Sequence, residues 1–131
     1  MIRVLVGPPC AGKSTYIAEH AEPGDTIVDF DALAKAFGST AHHDTPLSMR
    51  RVVHAARHAA ITQILMGRVE NAWIIDTDPT RMMKAQYRRA GAEIVLLDPG
   101  LADCLQRAAE DNRPDWTADQ IRRWYRMRKT A

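Results

Sequence analysis

Little in this chain places it in a specialised class. Of its 131 residues only two are cysteine, Cys10 and Cys104. They match no metal-ligand spacing and are too few for a disulfide framework, so both are expected as reduced thiols in a cytoplasmic protein. No apolar run approaches the roughly 20 residues a helix needs to cross a bilayer. Met1 leads directly into a short apolar segment with no charged-then-apolar leader, so neither a membrane contact nor a signal peptide is expected. Internal repeats and low-complexity tracts are absent, which sets aside solenoids and linkers. A surplus of one charge sign is missing too: 18 basic residues against 16 acidic leave +2. That is too mild for wholesale coating of nucleic acid, yet it permits an anionic substrate. Arg supplies 14 of the 18 basic residues and has the better shape for gripping phosphates. At 46% apolar, a chain this long can bury one core and no second, so residues 1–131 are expected as a single domain.

What is present begins at Gly7-Pro8-Pro9-Cys10-Ala11-Gly12-Lys13-Ser14-Thr15. The stretch fits G-x-x-x-x-G-K-[ST] in the setting that pattern requires, with the apolar run Ile2–Val6 before it and a helix-like segment, Ser14 to Ala21, after it. Gly7 and Gly12 would let the backbone turn tightly and aim the N–H groups around Cys10, Ala11 and Thr15 at an anion on the positive end of that helix. Lys13 would bridge the β- and γ-phosphates of a nucleoside triphosphate, and Ser14 would offer its hydroxyl to Mg²⁺.

Further acids follow the same logic. Thr26-Ile27-Val28 reads as a strand ending in Asp29-Phe30-Asp31, and acids beyond a parallel strand face the crevice where ligands gather. One of the pair would cap the helix Ala32 to Phe37 and the other would take a proton from an attacking hydroxyl; Asp31, further past the strand, is the candidate base. In the polar connection Gly38 to Pro46, His42 and His43 are expected to be solvated. A long helical pattern runs from Leu47 to about Arg68, where Arg50, Arg51 and Arg57 are candidates for an anionic substrate and His54 and His58 read as a solvated face. Ala72-Trp73-Ile74-Ile75 is a strand whose Asp76 would hold Mg²⁺ through water or hydrogen-bond Ser14. Motor ATPases usually place a glutamate after this aspartate to activate water. Here it is Thr77, which favours transfer to a hydroxyl over plain hydrolysis, and without an Asn-Lys-x-Asp motif a GTPase switch is disfavoured.

The remaining pattern is a helix from Thr80 to about Arg89 with Arg81 near its start, a strand Glu93 to Asp98, and a helix from Leu101 to about Glu110. Arg107 and Arg113, at that helix's end and in the loop beyond, would close over the triphosphate as a lid and steady the migrating phosphoryl group. Thr117 is expected to cap a last helix that docks through Ile121, Trp124, Tyr125 and Met127 and turns Arg122, Arg123, Arg126 and Arg128 outward. For Trp116 and Trp124, packing is preferred over stacking on a base. The order β-α-β-α-α-β-α-β-α-α implies an α/β fold, a four-stranded parallel sheet in the order 2-3-1-4 with right-handed crossovers and helices on both faces.

With these landmarks in hand, the chain resembles the kinase domain of phage-type polynucleotide 5′-kinases, within the wider group of P-loop kinases. The resemblance rests on Gly7 to Thr15, on Asp31 after the second strand, on Trp73-Ile74-Ile75-Asp76-Thr77 with its sequel Asp78-Pro79-Thr80-Arg81, and on Arg107 and Arg113. It implies an ATP- and Mg²⁺-dependent kinase in which Lys13 and Ser14 serve the donor, Asp31 is the general base, and Arg107 and Arg113 hold phosphates. The family's acceptor-gripping arginine, three residues after the base, is here Ala34, with Lys35 beside it, and the phosphatase domain that often accompanies such kinases is absent. Three acceptors follow: a 5′-hydroxyl of a polynucleotide, a hydroxymethylated base in DNA, and a nucleoside, nucleotide or small metabolite. The rival from another class is a nucleotide-binding module that hydrolyses slowly or not at all.

Overall fold

A computed structural model describes residues 1–40 and 43–129. The elements are β1 (Ile2–Val6), α1 (Lys13–His20), β2 (Thr26–Val28), α2 (Phe30–Ala36), α3 (Leu47–Leu65), β3 (Ala72–Ile75), α4 (Arg81–Arg89), β4 (Glu93–Leu96), α5 (Leu101–Glu110) and α6 (Trp116–Lys129). The four strands form one parallel sheet in the order β2-β3-β1-β4, as the alternation of strands and helices predicts.

β1 is central because its side chains are apolar on both faces, and Val4, Leu5 and Val6 are all buried. Val4 lies level with Ile74 on one side and Ile94 on the other. Alternation along the strand divides the core into two layers. Val4 and Val6 join Val28 and Ile74 under Ile61 and Ile64 of α3 and Tyr87 of α4. Leu5 points the other way, onto Trp73 and Ile17 of α1. A third cluster, Cys104, Ala108 and Ile121, joins α5 to α6 beside Cys10.

Several boundaries differ from the sequence pattern for local reasons. α2 begins two residues early, at Phe30, because the Asp29 carboxylate accepts the Asp31 N–H at 3.1 Å and so caps the helix itself. Thr80 caps α4 by accepting Met83 N–H at 3.1 Å. β4 stops at Leu96, short of Asp98, whose carboxylate instead receives the Tyr125 hydroxyl at 2.7 Å. α3 ends at Leu65, just before a left-handed Gly67 with φ 81°. Thr117 does not cap α6: the helix already includes Trp116, and Thr117 is buried in its first turn. Ile121 and Trp124 dock as expected, but Met127 is exposed and Arg128 turns inward, its guanidinium 3.8 Å over the Trp124 ring.

Candidate active site

The carboxyl ends of the strands open onto one cleft of about 1220 Å³. Its walls are the β1–α1 loop, the acids after β2 and β3, one side of α3 and the α5–α6 connection. Gly7 is required for a close approach: a Cβ there would lie 2.4 Å from the Leu97 carbonyl oxygen at the end of β4. Gly12, with φ 93°, supplies the left-handed turn into α1, and no side chain caps that helix. The N–H groups of Lys13, Ser14 and Thr15 therefore have no intrahelical acceptor and form the positive end of α1 at the cleft. Cys10 is also left-handed, at φ 66°, and packs on the α5–α6 cluster. Burial pushes both the Cys10 and Cys104 thiols up, which keeps them protonated and unreactive.

Lys13 is buried at 8% exposure, and its Nζ donates to Gly7 O at 2.6 Å and Pro8 O at 2.8 Å. Burial lowers its pKa from 10.5 to about 8, with Arg113 adding to the shift and the Asp29 carboxylate opposing it. An ammonium desolvated this far gains strongly from an anion placed beside it. Ala11, Ser14 and Thr15 all line the cleft, Ala11 buried and the other two exposed.

Asp29 and Asp31 both line the opposite side, with the two roles separated. Asp29 is the helix cap, and burial, with the charge of Asp31 second, raises its pKa. Asp31 is the more exposed acid, and its Oδ2 accepts from His43 Nδ1 at 2.9 Å. His43 is therefore not a solvated loop residue; its side chain is only 17% exposed. His42 lies outside the described residues.

Asp76 directly follows β3 and lines the cleft with its Oδ2 already engaged. The Tyr87 hydroxyl donates to that oxygen at 2.7 Å, and Arg57 Nη2 lies 3.6 Å from it while donating to Ile75 O at 2.9 Å. Burial, then the bond to Asp76, raises the Tyr87 pKa and keeps it a donor. Ser14 and Asp76 both line the cleft and carry oxygens of the kind Mg²⁺ takes, a cation that completes its shell with phosphates and water. No cluster of three His, Cys, Asp or Glu able to hold a metal occurs among the described residues. Bound there, Mg²⁺ would offset the negative charge on the phosphates.

Arg107 Nη1 donates to Cys10 O at 3.3 Å, and Arg113 Nε to Asp111 Oδ2 at 2.5 Å; both arginines line the cleft above the loop. Arg50 lines the cleft from α3, its Nε donating to Thr45 O at 2.8 Å. Lys35 reaches only an adjoining hollow of about 390 Å³, shared with Asp31, Ala34 and His43. Arg51 and Arg81 do not belong to the site. Arg51 is one residue, about 100°, around α3 from Arg50 and is exposed; Arg81 opens α4 facing solvent, outside the cleft lining.

The sequence pattern left out several lining residues. Phe30 and His54 form a ring pair with centroids 4.7 Å apart on the cleft wall between α2 and α3. Trp116 and Gln120 line the cleft from α6, whereas Trp124 is buried and donates its indole N–H to Thr77 O at 2.8 Å. Tyr87 carried one available signal: a tyrosine on the buried stripe of a helix needs a partner for its hydroxyl.

Sheet order, phosphate loop and the arrangement of acids define a P-loop kinase fold. A family model described as "AAA domain" matches residues 2–131, and the chain belongs to that family. Among solved structures it is similar to a shikimate kinase from Acinetobacter baumannii in complex with shikimate, with a TM-score of 0.61 and 20% identity. The match covers 98% of this chain and 76% of that one. No curated protein matches the sequence.

Proposed function

We propose that the protein is an ATP-dependent kinase that transfers the γ-phosphoryl group to a hydroxyl, with the 5′-hydroxyl of a polynucleotide as the acceptor. The observation that carries this reading is the placement of Asp31 on the same cleft as the Lys13 cradle, with Asp29 relieved of that role by its work as a cap. In the reaction the acceptor oxygen forms a bond to the γ-phosphorus as the bond to the bridging oxygen breaks. The hydroxyl proton passes to Asp31, and ADP leaves with the electron pair. Lys13 and the amides at the start of α1 hold the donor phosphates, Arg107 and Arg113 close over them as a lid, and Ser14 and Asp76 hold Mg²⁺.

For the acceptor, the Phe30 and His54 rings, tilted 45° to each other, offer aromatic surface to a base and Arg50 offers a charge to a phosphate. A second reading, a small hydroxyl-bearing metabolite or nucleoside, is favoured by the cleft's own charge. Asp29, Asp31, Asp76, Asp78, Asp111 and Glu19 line it alongside Lys13 and four arginines, so no basic track for a polyanion dominates.

A panel of nucleosides, 5′-hydroxyl oligonucleotides, hydroxymethylated DNA and small hydroxy acids, incubated with γ-labelled ATP, separates these readings. Label on the oligonucleotide, with binding that weakens steeply as salt rises, supports the first. Label on a small molecule alone replaces it with the second. ATP bound with no acceptor labelled would reduce the protein to a nucleotide-binding module.

A further inference from the structure

One side chain stands between the two halves of the cleft. His43 Nδ1 is hydrogen-bonded to Asp31 Oδ2 at 2.9 Å, while its Nε2 lies 4.0 Å from Asp111 Oδ2, too far for a hydrogen bond. That same Asp111 oxygen accepts from Arg113 Nε at 2.5 Å. An ionised carboxylate has no hydrogen to give, so the Nδ1–H of His43 must be the donor to Asp31. His43 holds this position with a left-handed backbone, φ 59°, a conformation sparsely populated by residues with a side chain.

We propose that His43 is a positioning residue for phosphoryl transfer. It fixes the Asp31 carboxylate through Oδ2 and presents Oδ1 to the acceptor hydroxyl. The proposal rests on the reading of Asp31 as general base. Nδ1 orients the base; with the proton there, Nε2 carries only a lone pair and donates nothing to the Asp111 carboxylate 4.0 Å away.

Asn and Gln separate the two ring nitrogens, because the Asn amide nitrogen falls near the place of Nδ1 and the Gln amide nitrogen near that of Nε2; Asn also tolerates the left-handed backbone. Transfer from γ-labelled ATP to a 5′-hydroxyl oligonucleotide should fall about 100-fold in kcat in His43→Ala, with KM for ATP within about twofold. His43→Asn should recover most of that loss and His43→Gln should not. In the 131-residue chain, long-range ¹H–¹⁵N spectra should show the His43 proton on Nδ1, with its resonance moved by Asp31→Asn. Two results overturn the proposal: wild-type turnover in His43→Ala while Asp31→Ala is inactive, or a His43 resonance indifferent to Asp31→Asn. Retained transfer in Asp31→Ala instead removes the general base itself. If no oligonucleotide is labelled, the assigned acceptor is wrong and the spectra decide the contact.

Discussion

The buried ammonium of Lys13 makes nucleotide affinity a function of pH above neutrality. Its pKa, about 8 against an ordinary 10.5, reflects first the burial of the charge. At pH 7 about nine tenths of the molecules carry the ammonium and at pH 9 about one tenth, so triphosphate affinity should fall about tenfold, or roughly 1.4 kcal/mol, between those values. Binding should draw about half a proton from solution at pH 8 and close to one at pH 9, because the phosphates restore the charge that burial removed. Calorimetric titration of a non-hydrolysable ATP analogue in buffers of different ionisation enthalpy counts those protons directly.

The free protein should show the opposite trend. The unfolded chain binds more protons than the folded one between about pH 8 and 10.5, so this residue makes stability rise with pH across that window, by at most about 3 kcal/mol. A dissociation constant flat from pH 7 to 9, with no proton uptake, would refute the placement of Lys13 as the phosphate-gripping group.

Other outcomes test other parts of the cleft. Asp31→Ala should leave ATP affinity within about twofold and lower phosphate transfer at least about 100-fold, read by equilibrium binding and γ-label transfer on the same preparation. Gly7→Ala forces a methyl against the Leu97 carbonyl, whose oxygen would be 2.4 Å away, and should lower unfolding free energy by about 1–3 kcal/mol while weakening nucleotide binding; denaturant melts with unchanged m-value check it. Tyr87→Phe removes the donor to Asp76 Oδ2 and should cost about 1–2 kcal/mol of stability and shift the Mg²⁺ concentration needed for tight ATP binding. Unchanged melts and Mg²⁺ dependence would show that Arg57 alone holds Asp76.

The sheet order was legible from the alternation of strands and helices along the whole chain, and the phosphate loop because it is local. A strand of apolar residues, a glycine-bounded turn and Lys-Ser at a helix start encode themselves within 15 residues or so. Helix spacing was enough to place Arg50 on a lining face, but it did not distinguish Arg50 from Arg51, because side-chain direction depends on which stripe of α3 the sheet buries. Asp29 and Asp31 were both visible as acids after a strand; which one caps depends on where the first turn of α2 starts, a matter of one hydrogen bond. His43 and Tyr87 could not be assigned from pattern. Each owes its role to a partner 11 or 12 positions away that only the folded chain brings into contact.

The wall behind the phosphate loop is built from the far end of the chain: Cys10 rests on Cys104, Ala108 and Ile121. On a ribosome, the Lys13 cradle would therefore leave the exit tunnel roughly a hundred residues before its support, and at a common pace of about 5–20 residues per second it would wait some 5 to 20 seconds. Nascent chains released before α6 emerges should fail to be retained on immobilised ATP, although they already carry the whole glycine-lysine signature.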